Sequence, residues 1–286
     1  QYHRCIFSST VHGYEGAGRG FTIKFQQLLH DKYPHYKKLH IKQAIRWSDK
    51  DPLEDFIFKA CLLNASLTDE ILAVKSFIND GLEIKTLLDN RLTTKILTAQ
   101  TLLSNEVLLT NIFSILVTAH YQTKPSDLKL LLDNPNLHIL AVFNHEKVIA
   151  VTLLMAEGNS QPVHDEKEVS DEEVMNEEKV QAIKKSQRRF KNQFLPQSLL
   201  THCGAEQAFN YHYLRVLRIA VHPQYQGLGI GRYLLNQIND YGQERGFHYV
   251  GASFGAHKAL LSFWLTAGYK LMRIGFTKDS ASGEHS

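Results

Sequence analysis

The sequence is poor in several features that would narrow its class. No apolar run approaches the roughly 18 residues that a membrane-spanning helix requires, and the amino-terminal residues carry no secretory signal. The three cysteines, Cys5, Cys61 and Cys203, are too few and too scattered for a disulfide framework or a zinc site. These absences predict a globular chain from a reducing compartment, with no membrane partner and no metal. We expect it in the cytoplasm.

A further absence concerns nucleotide binding. No stretch matches G-x-x-x-x-G-K-[ST], the loop whose backbone holds the phosphates of ATP and whose lysine and hydroxyl assist it. We therefore expect no ATP hydrolysis from this chain by itself. The net charge of +3 neither demands nor excludes nucleic-acid binding, so an RNA partner has to be argued from local charge.

What the sequence does contain is a glycine-rich turn directly after an apolar stretch. Residues 218–222 are typical of a strand, and Gly227, Gly229 and Gly231 alternate at the start of a helical pattern. The first N–H groups of a helix lack intrahelical partners and carry the positive end of the helix dipole, so they bind anions. Glycines also let phosphate oxygens approach the main chain. The spacing Gln226-x-x-Gly229-x-Gly231 resembles the signature with which GNAT acetyltransferases bind the pyrophosphate of coenzyme A.

Two other glycine-loop motifs do not fit this spacing. A P-loop would end in Gly-Lys-Ser/Thr, whereas Arg232 follows Gly231, and a dinucleotide-binding loop has G-x-G-x-x-G with an acidic residue about 20 positions on. A merely flexible turn remains open for the motif alone. The segments that follow favour the phosphate site, because strand, turn, helix, strand, helix and strand in this order form the core of the GNAT fold. They are a helix with Leu234, Leu235, Ile238 and Tyr241 on one face ending at Gly246, a strand over 247–254, a helix over 259–267 and a strand over 269–276.

The residues before the turn predict helices and then a hairpin. Asp51-Pro52 is a helix-start signal. The other predicted elements are mostly helical patterns over 69–109, a helix over 110–119, a helix capped by Ser126 or Asp127 that runs to Leu132, and antiparallel strands over 137–143 and 148–156 joined by a polar turn.

Between the hairpin and the turn lies a charged segment in two halves of opposite sign. The acidic half, residues 165–178, has two interpretations that the sequence does not separate: a solvated helix whose charges only keep it soluble, and a functional segment. The basic half, residues 184–191, is more specific, because cations beside an aromatic ring are typical of single-stranded RNA binding. In that arrangement Phe190 would stack on a base. The candidate RNA-binding residues are Arg188, Arg189 and Lys191.

Four separated segments resemble one family, the bacterial tRNA(Met) cytidine acetyltransferases. They are residues 7–21, residues 44–54, residues 218–223 with the glycine turn, and residues 253–255 with 263–264, running on to 280–283. The resemblance implies an α/β fold in which a GNAT acetyltransferase domain, a mixed sheet flanked by helices, follows the end of a RecA-like ATPase domain. It also implies a reaction, acetylation of the exocyclic amine of the wobble cytidine of elongator tRNA(Met) with acetyl-CoA and ATP.

The resemblance assigns roles to individual residues. Arg19 is implied to contact ATP. A splayed strand end and the turn are implied to bind acetyl-CoA through Ile219, Ala220, Val221, Gln226, Gly227, Leu228, Gly229, Ile230, Gly231 and Arg232. Two acyl-CoA contacts of related enzymes, a glutamate and an arginine, are replaced here by Ala259 and Thr266, which puts the affinity for the cofactor in question.

The resemblance also predicts domain boundaries. We expect the end of the ATPase domain over residues 1–50, a helical connector over 51–105, and the acetyltransferase domain over 106–286 with a charged insertion at 160–195. Because the P-loop is missing, we expect the chain to be part of a longer enzyme, whose ATPase half lies upstream or in a separate polypeptide.

The proton steps of acetyl transfer are harder to assign from the sequence. A cytidine amine is a poor nucleophile and needs a base, for which His222 is a candidate, although a histidine before Pro223 is often part of a plain structural turn. Many relatives protonate the leaving thiolate with a tyrosine, and here Trp264 stands at that place, with an indole unsuited to the task. The catalytic residue therefore stays unassigned. Two other functions also stay open: a stand-alone GNAT acetyltransferase of proteins or small molecules, and an inactive remnant.

Overall fold

The structure is a computed structural model and describes residues 5–7, 26–33, 35–39, 48, 51–63, 65, 67, 92–119, 125–158, 176–278, 284 and 285. The chain separates into two compact units. The first comprises residues 1–80 and 99–134, and the second comprises residues 81–98 and 135–286. Within the described residues, no helix is both long and apolar enough to cross a bilayer.

The first unit is helical in its described part. Its helices are α1 Gln26–Lys32, α2 Pro52–Ala60, α3 Ala99–Leu103, α4 Glu106–Ala119 and α5 Pro125–Asp133. The start of α2 follows the prediction, because Asp51 Oδ1 accepts hydrogen bonds from the N–H groups of Leu53 (2.9 Å) and Glu54 (3.2 Å). The predicted caps of α5 are wrong, since that helix begins at Pro125 and both Ser126 and Asp127 lie in its first turn. Proline is well suited to a first helical position, where no N–H partner is needed.

The second unit is built on a sheet of five strands. They are β1 Leu92–Leu97, β2 Leu137–Asn144, β3 Lys147–Gly158, β4 His212–Val221 and β5 Tyr249–Ala252. The strand order is β1-β2-β3-β4-β5, antiparallel from β1 to β4 and parallel between β4 and β5. Strands β2 and β3 are almost continuously buried, which explains why their apolar residues run without alternation.

The predicted hairpin and the long helix after the turn are confirmed. Strands β2 and β3 meet at a tight turn in which His145 has φ 55°. The helices of this unit are α6 Glu177–Lys184, α7 Phe194–Cys203, α8 Ile230–Glu244 and α9 Lys258–Thr266. Helix α8 buries the predicted face of Leu234, Leu235, Ile238 and Tyr241, and Gly246 follows it with φ 74°.

Helices α7 and α8 cover opposite faces of the sheet. A Cβ placed on Gly242 of α8 would lie 2.9 Å from the side chain of Val250, so Val250 points to α8. A Cβ placed on Gly251 would lie 3.2 Å from Leu195 of α7. Because successive strand residues point to opposite faces, β5 lies between the two helices.

Two secondary-structure predictions are wrong. Residues 92–97 form β1, although the surrounding pattern predicted helix; Thr93, Thr94 and Ile96 are β-branched and suit the pairing with β2. Residues 269–275 are not a strand, although their pattern predicted one over 269–276. None of the described strands pairs with this segment, and Leu271, Met272, Ile274 and Phe276 are exposed. An apolar pattern fixes a strand only where a neighbouring strand edge supplies hydrogen bonds.

Candidate functional site

The glycine-rich turn connects the end of β4 to the start of α8. The N–H of His222 donates to Ile149 O at 2.8 Å, which holds the start of the turn on β3. Residues Pro223–Tyr225 then form one 3₁₀ turn, and the Gln226 side chain donates from Nε2 to Val221 O at 3.0 Å. This last bond folds the turn back onto its own strand, a role of Gln226 that spacing alone did not reveal.

Gly227 and Gly229 need glycine for their backbone conformation. Their φ angles are 79° and 82°, in the left-handed region that side chains disfavour. A Cβ on either residue would meet nothing within 4 Å, so the space over this stretch of main chain is open. Gly231 differs, because its Cβ would lie 3.1 Å from the Phe263 ring of α9. Close packing of α8 against α9 therefore explains why residue 231 is a glycine, which the sequence alone did not show.

The first turn of α8 offers unused hydrogen-bond donors. Gly229 is the N-cap and supplies no side-chain bond, and the first turn contains no acidic residue. The first N–H groups of the helix have no intrahelical acceptor. Among the described residues, no protein oxygen accepts from the N–H groups of Ile230, Gly231 or Arg232. A 15-residue helix with an open, cation-bearing N-terminus is suited to hold an anion.

The pairing between strands β4 and β5 ends before this turn. Their parallel pairing runs from Tyr213 opposite Tyr249 to Val216 opposite Ala252. Leu217 is left out of the pairing with β3, since Leu153 faces Arg218 and Leu154 faces Val216. Strand β4 then continues to Val221 with no paired strand on its β5 side in the described part of the chain. The predicted contact residues Ile219, Ala220 and Val221 lie in this unpaired part, next to the turn.

His222 has the surroundings of a structural residue. It is 5% exposed, and its Nδ1 accepts from the N–H of Gln224 at 3.3 Å, which caps the 3₁₀ turn. Its ring also meets the Tyr225 ring edge to face, with centroids 5.9 Å apart. This geometry favours the alternative of a plain structural turn over the role of general base.

Trp264 is part of the packing between α9 and the segments around it. It is 5% exposed, stacks on Phe254, and meets Tyr269 edge to face with ring centroids 4.8 Å apart. Tyr269 donates to Asn239 Oδ1 at 2.9 Å, and burial raises the pKa of its phenol to about 12. A phenol with so high a pKa is a weaker proton donor than an ordinary tyrosine. Neither Trp264 nor Tyr269 is therefore well matched to the protonation of a leaving thiolate.

The two departures from the family pattern both lie on α9. Ala259 is exposed in the first turn of the helix. The Thr266 hydroxyl donates to Ser262 O (2.8 Å) and Phe263 O (3.1 Å), so it serves its own helix.

The basic half of the charged segment follows α6. Arg188, Arg189 and Lys191 are exposed. The ring of Phe190 instead packs inward, against a buried cluster, and the Arg188 guanidinium covers it at 4.7 Å from the centroid. The cluster comprises Ile183, Leu200, Ala208 and Phe209. This geometry does not support a base-stacking role for Phe190, because its ring packs against the cluster and Arg188 covers it.

Some predicted features lie outside the described residues. They are Arg19, residues 280–283 and the acidic part of the insertion up to residue 175. Where the chain is described, no group of three or more histidine, cysteine or acidic side chains could hold a metal ion.

Comparisons with known proteins agree with the predicted architecture. Residues 111–247 match the family GNAT acetyltransferase 2, and residues 1–64 match the family RNA cytidine acetyltransferase NAT10/TcmA, helicase domain. The fold is thus an α/β acetyltransferase fold that follows the end of an ATPase domain. Among solved structures, ribosomal-protein-S18-alanine N-acetyltransferase from Escherichia coli aligns over 68% of this chain and 88% of that chain, at 15% identity and a TM-score of 0.40.

Similar sequences span the whole chain. It is 36% identical over 285 residues to tRNA(Met) cytidine acetyltransferase TmcA of Nitrosococcus halophilus, covering 100% of this chain and 35% of that protein. It is 32% identical over 286 residues to TmcA of Vibrio cholerae, covering 100% of this chain and 36% of that protein. The chain thus spans about a third of the length of these curated relatives.

Proposed function

We propose that the chain is the acetyl-transferring part of a tRNA(Met) cytidine acetyltransferase, because relatives of that name match it along its whole length. In this proposal the second unit binds acetyl-CoA. The acceptor is the exocyclic amine of the wobble cytidine of elongator tRNA(Met).

The observation that carries the proposal is the open N-terminus of α8. A diphosphate needs several donors at once, and the N–H groups of Ile230, Gly231 and Arg232 have no protein acceptor among the described residues. The positive φ of Gly227 and Gly229 turns the backbone without placing a side chain over it. The Arg232 guanidinium, exposed in the same turn, would add a charge-assisted bond to phosphate.

The thioester would lie along the unpaired edge of β4. In acyl transfer the amine nitrogen bonds to the thioester carbon, the C–S bond then breaks, and the amine loses a proton while the thiolate leaves. Main-chain N–H groups near Ile219–Val221 would hold the pantetheine arm and support the developing oxyanion. The proton would pass to water or to a group contributed by the rest of the enzyme, because His222 caps a turn.

In this proposal the remainder of the enzyme binds and hydrolyses ATP. The chain has no P-loop, so Arg19 would add at most one contact to a nucleotide held by the ATPase half. We keep the domain division proposed from the sequence: residues 1–50 close the ATPase domain, 51–105 connect, and 106–286 form the acetyltransferase domain with its insertion at 160–195. Strand β1, at residues 92–97, makes the end of this connector part of the acetyltransferase sheet.

Labelled acetyl-CoA tests the proposal. The chain is incubated with it in the presence of tRNA and, separately, of a protein extract, each with and without an ATPase half from a relative. Label on tRNA is the expected result. Label on protein would establish a protein acetyltransferase instead, and label on neither, with or without the added half, would establish an inactive remnant.

A further inference from the structure

Helix α7 holds two chain segments that are far apart in sequence. The side chain of Gln197 binds both backbone groups of Phe190: its Oε1 accepts from the N–H (2.9 Å) and its Nε2 donates to the carbonyl (2.8 Å). The next helix residue, Ser198, accepts from Arg273 Nη1 at 3.5 Å. The basic loop at 185–193 and the segment after α9 are therefore anchored at the same turn of α7.

Two arginines and a histidine lie near this turn of α7. His202 lies one helical turn after Ser198, on the same side of α7. The pKa of His202 is lowered by partial burial, then by the charge of Arg273, and then by that of Arg189. Both guanidinium charges act on this imidazole, which agrees with the anchoring of their two segments at the same turn of α7.

Within the part of the chain that the structure describes, no carboxylate forms an ion pair with this cluster. The ion pairs in the described ranges are Lys129–Asp133, Lys184–Glu206 and Arg215–Glu157, and none includes a residue of the cluster. Arg189 and His202 are exposed and Arg273 is half-buried. Guanidinium groups held in place by a protein scaffold are good phosphate ligands, because they offer paired donors.

We propose that Arg189, His202 and Arg273 form a docking surface for the phosphate backbone of RNA, named here the α7 surface. That the RNA is tRNA rests on the proposed function. The α7 surface adds Arg273 and His202 to the candidate residues. Because Phe190 packs inward, the surface holds RNA through its backbone and does not read bases, so it positions the substrate while other parts of the enzyme select it.

The test compares two variants with the same loss of charge. Arg189→Ala/Arg273→Ala removes two cations from the α7 surface, and Lys147→Ala/Arg245→Ala removes two exposed cations elsewhere. Binding of fluorescent tRNA is measured by anisotropy between 50 and 200 mM salt, roughly the range over which phosphate contacts dominate. We expect the first variant to bind at least about tenfold more weakly at low salt and its log–log salt slope to flatten by about 1.5. The control should stay within about twofold of the unmodified chain.

Three results would overturn the inference. They are unchanged tRNA binding in the first variant, an equal loss in the control, and polyglutamate binding that matches tRNA and is lost in the same variant, which would identify an acidic protein segment as the partner. Acetyl-CoA binding, measured by calorimetry on all proteins, separates this inference from the proposed function. It should be equal in both variants, which also shows that they fold. Its absence from the unmodified chain would count against the proposed function alone.

Discussion

At the scale of single residues, the glycines of the turn have different physical roles. Gly227 and Gly229 have positive φ and open space over them, whereas Gly231 has an ordinary φ and a ring against it. Replacement of Gly231 would therefore disturb helix packing as well as any bound phosphate. Gly229 is the better position at which to test ligand binding.

We predict that Gly229→Val weakens acetyl-CoA binding by about 10- to 100-fold, the loss expected when charge-assisted hydrogen bonds are removed. Gly246→Val is the matched control, because Gly246 has φ 74° and also nothing within 4 Å, at the other end of α8. Both substitutions should introduce a similar backbone strain of at least about 1–2 kcal/mol, because both place a side chain at a positive φ. Calorimetry should show the loss of affinity in the first variant only, and equal losses in the two would assign the effect to strain.

His222 gives a second test at this scale. Asn offers a side-chain oxygen where His222 Nδ1 accepts from the Gln224 N–H, so His222→Asn should keep the turn and the rate of acetyl transfer. His222→Ala should lose about 1 kcal/mol of stability in urea unfolding, as for other caps. A fall of about 100-fold or more in the transfer rate of the Asn variant, with an altered pH profile, would instead identify His222 as the base.

At the scale of elements, a buried ion pair ties the sheet to α7. The Glu157 side chain has no exposed surface, and it accepts from Arg215 Nε (2.5 Å) and from the N–H of Leu195 (2.7 Å). It thus joins the end of β3, the start of β4 and the first turn of α7, where a carboxylate is also favoured by the helix dipole. The α7 surface depends on this attachment for its position.

Glu157→Leu should lower the free energy of unfolding by about 3–5 kcal/mol, because it leaves the Arg215 charge largely buried without a partner. The double variant Glu157→Leu/Arg215→Met should recover a good part of that loss, since apolar side chains of similar size can replace a buried pair. Urea unfolding of both variants measures this. If the double variant is as unstable as the single one, the bond to Leu195 outweighs the ion pair.

The contact between β2 and α8 predicts an acid-sensitive fold. His138 Nδ1 and Tyr241 Oη are 2.8 Å apart, and the pKa of His138 is lowered by burial and then by Arg245. Because its folded pKa lies below the unfolded value of 6.5, His138 contributes stability above that value and loses it as the pH falls toward the folded pKa. Between about pH 7 and 5, the free energy of unfolding, measured in urea, should fall less steeply with pH in His138→Leu than in the unmodified chain. The two slopes should differ by up to about 1.4 kcal/mol per pH unit. Parallel curves would contradict this role.

Local patterns predicted some elements and failed for others for a physical reason. The turn, the hairpin and α8 follow from glycine conformation, from a polar turn between two apolar runs and from helical spacing, all of which neighbouring residues determine. Strand β1 was missed because residues 92–97 become a strand only through pairing with β2. The contact of Gly231 with Phe263 and the bond of Arg273 to Ser198 join segments distant in sequence, so no local pattern could predict them.

At the scale of the molecule, the second unit brings two binding surfaces to one sheet. The turn lies at the carboxyl end of β4, and the α7 surface lies on the helix that covers one face of the same sheet. In our account, one holds the acetyl donor and the other holds the RNA. The chain spans about a third of the length of the relatives reported above, so in this proposal the rest of such an enzyme would supply ATP chemistry and further RNA contacts.

A crystal structure with coenzyme A would show whether main-chain amides at the start of α8 bind the diphosphate of acetyl-CoA. We expect diphosphate oxygens within about 2.7–3.2 Å of the N–H groups of Ile230, Gly231 and Arg232. A diphosphate bound elsewhere, or these amides already donating to protein oxygens, would contradict it.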